Sequence, residues 1–553
     1  MKYYSEEAIN ATLPECSIYD YLVQNNQDYP SDIAIVYLGR KITYKELFEN
    51  IDKTAAAFLK AGVKEKEIVT VALPSIPEAL YCVYALNKIG AVANMIHPLA
   101  GTEETVNYIN EVASKIVVIF DGAYSSICDS VEKTTAEKII VASPADSLPV
   151  PLKVAYSLKV KSPKLDGKTF LNWKNFLKNG IGIKAEKVSR DCHEMAIISH
   201  TGGTTGEPKG VMCSDYSLNA LMNQIVSNFE YGRNGRSLVV LPPFVNYSLV
   251  EATMAMLAIG YTVILIPKYE PSNFTNYVKK YRPTAVLSIP AYWCDLLENE
   301  YEKVDMSCFE HIYYGGEGMS DENEEALNKY LKDCGATVKI CKGLGATELM
   351  AAATQSFQEC NPIGSVGIPL VMTNCRVQDP ETEVEMKYGE QGELCFTGPT
   401  LMNGYYANLD ATNAIIKVHS DGQRWLHTGD IGYVDENGIV YVTGRIKRII
   451  MTKGRDGQVT KLFPDRIEKA ICTNEKVELC CVVGVPDEAR IHYPKAFVVL
   501  REGFSKDDLA RERIFETCRK ELPDYMVPEE IVFVDDLPRT SRGKVDYRAL
   551  ETA

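Results

Sequence analysis

Short apolar runs alternate with amphipathic segments along the first four-fifths of the chain. Between the apolar runs, the segments 44–61 and 77–89 repeat apolar residues at helical spacing, and a capping box at 43–46 predicts where the first helix begins. The runs themselves have the length and content of buried strands, and they lie at 33–37, 68–73, 91–96, 115–120 and 138–142. This alternation predicts doubly wound α/β layers with parallel strands.

The pattern changes near residue 374, where short strands at 392–397 and 438–443 predict a smaller β unit. A further α/β piece follows it to the end of the chain. The predicted fold class is α/β, with a large N-terminal domain of doubly wound α/β layers and a small β unit over 1–446. A small α/β C-terminal domain over 447–553 completes the prediction.

Charge and cysteine distribution narrow the expected partners and compartment. The net charge of −15 predicts repulsion of nucleic acid and of anionic lipid, so neither is an expected partner. The 16 cysteines are scattered without a Cys-x-x-Cys pair, and the first residues lack the apolar core of a signal peptide. A reducing, cytoplasmic location is therefore predicted. The most apolar stretch, 252–266, is too short to span a bilayer and predicts a buried helix leading into a strand.

The segment 201–210 contains four glycines, three threonines and one lysine within ten residues. Such a backbone can bend closely around a phosphate chain, with threonine hydroxyls and a lysine as donors, although a surface turn can have the same composition. The segment resembles the phosphate loop of the adenylate-forming superfamily, Thr-Ser-Gly-Thr-Thr-Gly-x-Pro-Lys-Gly. The resemblance implies that ATP phosphates contact Thr201, Gly202, Gly203, Thr204, Thr205, Gly206 and Lys209.

A second motif, Gly343-Leu344-Gly345-Ala346-Thr347-Glu348, places a hydroxyl beside a carboxylate on a glycine-rich turn. That pair suits Mg²⁺ near phosphate oxygens, while a helix N-cap is the alternative reading. In the superfamily the matching element is Tyr-Gly-x-Thr-Glu. The resemblance implies that Gly345, Ala346 and Thr347 contact the nucleotide, that Thr347 and Glu348 are catalytic, and that Glu348 and Thr204 hold Mg²⁺. Leu344 replaces the usual aromatic residue beside adenine.

The segment 312–318 reads as a strand that ends in small residues, and a strand-to-helix turn is an equal alternative. By resemblance, Gly315, Gly316 and Glu317 lie beside adenine and the carboxylate substrate. The positions that line the acyl pocket in the superfamily correspond to Phe244, Asn246, Tyr247, Val250, Gly315 and Gly343. Val245 stands where members of the superfamily often have histidine, so the wall of the pocket or the thiol path is expected to differ.

Charged residues near the C-terminal end complete the resemblance. Asp430, in Thr-Gly-Asp, matches the carboxylate that accepts the ribose hydroxyls, and Arg445 matches an arginine that reaches ribose and phosphate. A turn aspartate and a solvated arginine are the plain alternatives. Lys447 corresponds to the hinge, and Lys544, in Pro-x-Thr-x-x-Gly-Lys, corresponds to the lysine that enters the site during adenylation. Such a lysine stabilises the negative charge that builds up at the α-phosphate, and it implies a mobile C-terminal domain.

The resemblance implies an AMP-forming acid–CoA ligase with Mg²⁺ as cofactor and a carboxylic acid, ATP and CoA as substrates. Gly454 matches the glycine of the pantetheine tunnel, although the segment 453–461 includes an apparent insertion. Two alternatives stay open at this point: an acyl-AMP ligase that loads a separate carrier protein, and a nucleotide-binding scaffold without catalysis. The acid itself can be aliphatic, aryl or polycyclic.

Overall fold

The computed structural model describes residues 3–159, 163–201, 208–227, 231–299, 301–453, 459–487, 491–539 and 545–551. The described chain divides into two compact units. The first comprises Met1–Thr201, Pro208–Asn374 and Thr397–Leu426, and the second comprises Cys375–Phe396 and His427–Ala553. The predicted boundary at 446/447 stays a prediction, because compactness in one conformation does not test where the chain would bend.

The strands are numbered in chain order. They are β1 Ile33–Tyr37, β2 Arg40–Thr43, β3 Ile68–Ala72, β4 Val92–Met95, β5 Ile116–Phe120, β6 Lys138–Ala142, β7 Phe170–Asn172, β8 Met195–His200, β9 Gly210–Ser214, β10 Arg236–Val239, β11 Thr262–Leu265, β12 Ala285–Ser288, β13 His311–Tyr314, β14 Cys341–Lys342, β15 Thr354–Gln355, β16 Ile368–Pro369, β17 Asn374–Gln378, β18 Gly392–Thr397, β19 Ile416–Val418, β20 Arg424–Val434, β21 Val440–Arg445, β22 Ile450–Lys453, β23 Val459–Leu462, β24 Val477–Asp487, β25 Ile491–Leu500 and β26 Glu530–Val534.

The α-helices are numbered in the same way. They are α1 Glu6–Asn10, α2 Ile18–Asn26, α3 Tyr44–Ala61, α4 Pro77–Lys88, α5 Thr102–Glu111, α6 Tyr124–Cys128, α7 Val150–Lys159, α8 Trp173–Asn179, α9 Asp215–Ser227, α10 Met256–Ala258, α11 Phe274–Tyr281, α12 Pro290–Glu298, α13 Asp321–Asp333, α14 Leu409–Ile415, α15 Pro464–Cys472, α16 Asp508–Glu521 and α17 Tyr547–Glu551. None of the helices among the described residues combines the length and the hydropathy that a bilayer span requires.

Two seven-stranded sheets form the first unit. One has the order β14-β13-β12-β10-β11-β1-β2, and the other has the order β7-β6-β5-β3-β4-β8-β9. All neighbours are parallel except β1–β2 and β8–β9, which pair antiparallel at one edge of each sheet. The strands are buried on both faces, which explains their continuous apolar runs. The predicted doubly wound α/β layers are thereby confirmed.

The predicted start of α3 is correct in detail. The Thr43 hydroxyl accepts the backbone N–H of Glu46 at 3.2 Å, and the Glu46 carboxylate accepts the N–H of Thr43 at 2.9 Å. These two bonds form the capping box, and the left-handed Gly62 (φ 104°) ends the helix. The local signals were therefore sufficient to place both ends of this helix.

The stretch predicted as a buried helix leading into a strand begins earlier than its apolar run. Tyr247–Ala255 forms a π-helix, Met256–Ala258 continues it as one α-helical turn, and β11 follows. A π-helix is rare and occurs frequently at functional sites. Its first residues are the predicted lining of the acyl pocket, so this irregularity falls where the sequence analysis expects substrate.

In the second unit, the strands β24, β25 and β26 form one sheet with an antiparallel and a parallel pair. The helices α15 and α16 contribute Ile467, Ile471, Ile514 and Cys518 to the apolar core on this sheet. Strands β22 and β23 form a separate hairpin. The prediction of a compact α/β piece at the C-terminal end is confirmed at this level.

Candidate functional site

The two ends of the predicted phosphate loop are joined by hydrogen bonds. The Thr201 N–H donates to the carbonyl of Lys209 at 3.0 Å, and the Lys209 N–H donates to Thr201 Oγ1 at 3.1 Å. Thr201 follows β8 and Lys209 precedes β9, so the antiparallel edge pair fixes the base of the loop. The predicted residues of the loop itself lie outside the described residues: Gly202, Gly203, Thr204, Thr205 and Gly206.

Lys209 and Glu348 both contact Tyr405. The ammonium group of Lys209 lies 5.3 Å from the centroid of the Tyr405 ring, within the range of a cation–π interaction. The Tyr405 hydroxyl donates a hydrogen bond of 2.6 Å to Glu348 Oε1. Two residues that are 139 positions apart in sequence are thus brought together by their contacts with Tyr405. The predicted phosphate lysine and the predicted magnesium carboxylate therefore share one neighbourhood.

Sequence reasoning missed Tyr405. Burial and, secondarily, the neighbouring charge of Glu348 raise the pKa of its hydroxyl, so the group stays a hydrogen-bond donor. Tyr405 also forms an isolated bridge with Val211 of β9, and the next residue donates its N–H to the Gly210 carbonyl at 2.7 Å. The sequence offered only a glycine, Gly404, directly before the tyrosine. In the structure Gly404 has a φ of 149° and crowded surroundings, as a special turn requires.

Close backbone approach explains the glycines before Glu348. A Cβ at Gly345 would lie 1.8 Å from the Ala351 carbonyl oxygen, and one at Gly343 would lie 2.4 Å from that of Thr354. Thr347 and Glu348 open a short 3₁₀ helix whose N-cap position is Ala346, and no side-chain cap is made there by the described residues. The N-cap reading of Thr347 is therefore not borne out, and both side chains remain half-buried.

Three of the predicted acyl-pocket residues lie side by side. A Cβ placed on Gly315 would contact the Tyr247 ring carbon Cζ at 3.5 Å and the Gly343 carbonyl oxygen at 3.7 Å. Gly315 follows β13 and donates its N–H to the Ser288 carbonyl at 3.2 Å. The next residues, Gly316 and Glu317, are exposed. A Cβ at position 315 would be in ordinary van der Waals contact with both neighbours, so the glycine leaves about the space of one methyl group beside the ring of Tyr247.

The remaining predicted pocket residues are buried around the start of the π-helix. Ser199, at the end of β8, donates a hydrogen bond of 2.5 Å to Asn246 Oδ1. The rings of Phe244 and His97 are 4.5 Å apart, and Val250 is completely buried. Asn246 thus connects the predicted acyl wall to the strand that leads into the phosphate loop.

Two polar groups stand out inside this wall. The Tyr247 hydroxyl is buried and has no hydrogen-bond partner among the described residues. One turn further on, burial raises the pKa of Glu251 to about 8, against the opposing effect of a hydrogen bond from the Ala352 N–H. Sequence reasoning passed over Glu251, since a lone carboxylate in an apolar run gives no direct signal of burial.

In the second unit, Asp430 and Arg445 are directly opposite each other on β20 and β21. Arg445 Nε lies 2.9 Å from Asp430 Oδ1, and the aspartate is buried while the arginine is half-exposed. The Asp430 N–H donates to Thr428 Oγ1 at 3.0 Å. The structure therefore pairs two residues that the sequence analysis assigned to the same ribose.

A buried glutamate holds the turn that carries Asp430. Glu393 Oε1 accepts the Gly429 N–H at 2.9 Å, and Glu393 Oε2 lies 2.8 Å from His427 Nδ1. The Thr428 hydroxyl donates to the Leu394 carbonyl at 2.7 Å, and Gly429 has a φ of 72°. Sequence reasoning missed Glu393 and His427. The sequence shows only a glutamate in one predicted strand and a histidine in another. This combination is too common to indicate a functional pair.

The other predicted residues of the second unit are placed only in part. Lys447 is exposed in a short 3₁₀ helix directly after β21, while the neighbouring Arg448 pairs with Asp465 at 2.6 Å. Gly454 and Lys544 lie outside the described residues. The segment 453–461 begins and ends in the hairpin of β22 and β23, and a bridge between Arg539 and Val545 flanks the segment of Lys544.

The chain is similar to several known ligases over nearly its whole length. It is 28% identical to the long-chain-fatty-acid–CoA ligase of Bacillus subtilis (strain 168), covering 97% of this chain and 94% of that protein. It is 26% identical to the probable 4-coumarate–CoA ligase 1 of Dictyostelium discoideum, covering 98% and 96%.

Solved structures show the same fold. ATP-bound MatB from Rhodopseudomonas palustris matches with a TM-score of 0.84 at 22% identity, covering 98% of this chain and 99% of that one. The anthranilate CoA ligase AuaEII in complex with anthranoyl-AMP matches with a TM-score of 0.83 at 19% identity, covering 99% and 98%. The predicted α/β fold with a smaller C-terminal part is thereby confirmed.

Two family models cover most of the chain. The model of the AMP-binding enzyme matches residues 22–406, and that of the AMP-binding enzyme C-terminal domain matches residues 466–544. The first match contains the phosphate loop, the Thr347-Glu348 turn and Tyr405, and the second ends at Lys544. The chain therefore belongs to the family of AMP-binding enzymes, as its resemblance to the adenylate-forming superfamily predicted.

Proposed function

We propose that this protein uses ATP to convert a carboxylic acid into its acyl-AMP, with release of pyrophosphate, and then transfers the acyl group to the thiol of CoA. The contact chain Lys209–Tyr405–Glu348 carries the proposal, because it joins the base of the phosphate loop to the Thr347-Glu348 turn. Membership of the AMP-binding enzyme family supports the same reaction. The relatives are named for long-chain fatty acids and 4-coumarate, two chemically different acids.

In the first step a carboxylate oxygen attacks the α-phosphorus of ATP, and the bond to pyrophosphate breaks. Negative charge builds on the phosphate oxygens, so preorganised donors and cations lower the barrier. Lys209 and Thr201 are the described residues proposed to hold the β- and γ-phosphates. Gly345, Ala346 and Thr347 are proposed to contact the nucleotide beside Gly315, Gly316 and Glu317, and the loop residues Gly202–Gly206 are proposed to cradle the phosphates.

Mg²⁺ is the proposed cofactor, and the surroundings of Glu348 fit it. Glu348 Oε1 accepts the Tyr405 hydrogen bond, whereas Oε2 takes part in no hydrogen bond within the described chain. A carboxylate oxygen left in this way is a hard ligand of the kind that Mg²⁺ prefers. Glu348 and the Thr204 hydroxyl would hold the ion, whose charge would neutralise phosphate oxygens of ATP.

The second unit supplies the proposed ribose and hinge residues. Asp430 is proposed to accept the two ribose hydroxyls, and its half-exposed partner Arg445 is proposed to reach ribose and phosphate. Lys544 is proposed to serve the first step, and rotation about Lys447 between the domains 1–446 and 447–553 is proposed to prepare thiol transfer. Gly454 is the proposed contact of the pantetheine arm.

The acid is proposed to lie against Phe244, Asn246, Tyr247, Val250, Gly315 and Gly343. The small residue at 315 beside the ring of Tyr247 supports this placement. The cytoplasm is the proposed location, a proposal that the 16 free cysteines support, since thiols persist in reducing compartments.

A pyrophosphate-release screen over a panel of aliphatic, aryl and polycyclic acids, with and without CoA, tests the proposal. We expect at least one acid to release pyrophosphate and to give acyl-CoA only when free CoA is present. Acyl-adenylate that accumulates despite CoA would instead indicate a ligase that loads a carrier protein. Bound ATP without turnover of any acid would overturn the proposed catalysis.

The division of labour between the steps has its own test. Lys544→Ala is expected to reduce adenylation by about 10²–10³-fold, because the ammonium stabilises charge that develops in the transition state. Transfer of a supplied acyl-adenylate to CoA should keep its rate. The matched control is Lys506→Ala, which removes an ammonium group that bonds the Val534 carbonyl at 3.0 Å on the outside of the second unit. Equal loss of both steps in Lys544→Ala would refute the assignment.

A further inference from the structure

Helix α7, Val150–Lys159, exposes an unusual amount of apolar surface. Val150 is 76% exposed and Leu158 is 83% exposed, and Val154 between them is 54% exposed. The three positions are spaced by four residues, so they lie in one row along the helix. Such a contiguous row differs from the scattered exposed apolar residues that every protein surface carries, and it marks an interaction surface.

The opposite side of α7 is attached to the first unit. The Tyr156 hydroxyl donates to Asp121 Oδ2 at 3.4 Å, and Leu148, just before the helix, is buried. The row Val150–Val154–Leu158 therefore points away from the body that holds the helix.

The charge of this segment contrasts with that of the chain. Residues 146–166 contain four lysines and two aspartates, which lie at the two ends of the segment, so the segment is net positive although the protein as a whole has a net charge of −15. Of these lysines, Lys153 lies within α7 and Lys164 follows it, and both are exposed. Lysine stems can lie along an apolar surface while their ammonium groups reach outward to anions. An apolar row flanked by lysines is the composition of a helix that lies in a membrane interface.

We propose that α7 docks the protein on the surface of an anionic lipid bilayer, with Val150, Val154 and Leu158 entering the interface and Lys153 and Lys164 contacting the headgroups. The local positive charge favours this occupant over a second copy of the chain, because two lysine-rich faces would repel each other. The overall charge had argued against anionic lipid, but attraction at a membrane decays within a Debye length and depends on the local segment. Binding in this mode does not depend on the proposed reaction.

Vesicle flotation of the full-length protein tests the proposal. The probes are vesicles of phosphatidylcholine alone and vesicles of phosphatidylcholine mixed with phosphatidylglycerol. We expect binding to the mixed vesicles, weaker binding to phosphatidylcholine alone, and release by added salt. The double variant Val150→Ser/Leu158→Ser should lower the partition coefficient about tenfold or more, since two apolar side chains lose their burial. Lys153→Glu should lower binding to the mixed vesicles only.

The matched control is Leu409→Ser/Leu509→Ser, which removes two leucines that are 70% and 63% exposed but lie outside α7. Its vesicle binding should equal that of the wild type, and the melting temperatures of all variants should agree within error. Absence of wild-type binding, or equal binding by the α7 variant, would overturn the proposal. Self-association that Leu158→Ser abolishes, or an acidic protein partner without vesicle binding, would assign the surface to a different occupant.

Discussion

Two glutamates, one in each compact unit, differ in how their carboxylates are bound. Glu348 is half-buried and accepts a hydrogen bond from Tyr405 at one oxygen, while its other oxygen makes no hydrogen bond among the described residues. Glu393 is buried, and both of its carboxylate oxygens contact protein groups: one accepts the Gly429 N–H and the other contacts His427. The first glutamate is therefore available for chemistry, whereas the second holds the backbone that presents Asp430.

Glu251 is a third case that sharpens the contrast. It is buried like Glu393, yet it lacks a cationic side chain among its described neighbours, and burial raises its pKa to about 8. Glu324 in the same unit is equally buried but lies 2.5 Å from the Lys342 ammonium group. The groups that contact a buried carboxyl, rather than its depth of burial, thus decide whether it binds a ligand, holds the backbone or stays protonated.

The largest expected effect belongs to Glu348→Gln. The amide keeps an oxygen for Tyr405 but removes the negative charge, so the proposed metal ligand is lost while the local fold remains. Adenylation should fall by about 10²–10³-fold in kcat/KM, the range typical of a lost electrostatic contact to the transition state. Steady-state pyrophosphate release measures this effect, with the exposed Glu359→Gln as control. A loss below about threefold would remove Glu348 from the chemistry.

Glu251→Gln should change stability in a pH-dependent way. Glutamate in the unfolded chain ionises near its ordinary value of 4.5, whereas the folded side chain ionises near 8. Between these values the unfolded chain binds fewer protons, so wild-type stability falls as the pH rises and levels off above the folded pKa. The variant cannot ionise, so its stability relative to wild type should rise by about 3–4 kcal/mol between pH 5 and pH 8.

Urea unfolding at about pH 5 and about pH 8 measures that gain, since the midpoint and slope give the free energy of unfolding. The exposed Glu325→Gln provides the control and should give the same small difference at both values. An identical stability difference for Glu251→Gln at both pH values would show that the carboxyl ionises normally in the folded protein.

The regular part of the fold was predictable because its signals are local. The run Ile116–Phe120 and the capping box of α3 each specify their element through a few adjacent residues. The π-helix at Tyr247–Ala255 was not predictable, because its largely apolar, buried residues do not distinguish it from an α-helix. Tertiary context overrode an apolar run that reads as an ordinary helix.

The candidate site could be proposed from the sequence where a motif is contiguous, as at Thr201–Lys209 and Thr347-Glu348, and the roles of these residues stay predictions. It was not predictable where function depends on a partner from elsewhere in the chain. Tyr405 lies 57 positions from Glu348, and Glu393 lies 34 positions from His427. A single tyrosine or glutamate carries no spacing signal, and only the pairing of strands brings these side chains together.

Glu393→Gln is expected to act on binding rather than on chemistry. The altered side chain can no longer hold both the Gly429 N–H and His427 as a carboxylate, so the turn that presents Asp430 becomes less ordered. The KM for ATP should rise about tenfold while kcat changes less than about twofold, the signature of a contact made equally in ground and transition states. The exposed Glu436→Gln is the control. An equal loss in kcat would place Glu393 in the reaction itself.

The smallest expected effect belongs to Tyr405→Phe, which removes the hydroxyl from Glu348 and retains the ring beneath Lys209. Because Glu348 is half-buried, water can replace the lost donor, so the net loss should be about 1 kcal/mol, or about fivefold in kcat/KM. Tyr405→Leu also removes the ring and should lose more, since the cation–π contact with Lys209 disappears as well. If the two variants have equal activity, Lys209 does not depend on the ring, and Tyr405 serves Glu348 alone. If Tyr405→Phe instead loses as much as Glu348→Gln, the hydroxyl does more than hold the carboxylate, and the contrast between an acting and a held glutamate would have to be redrawn.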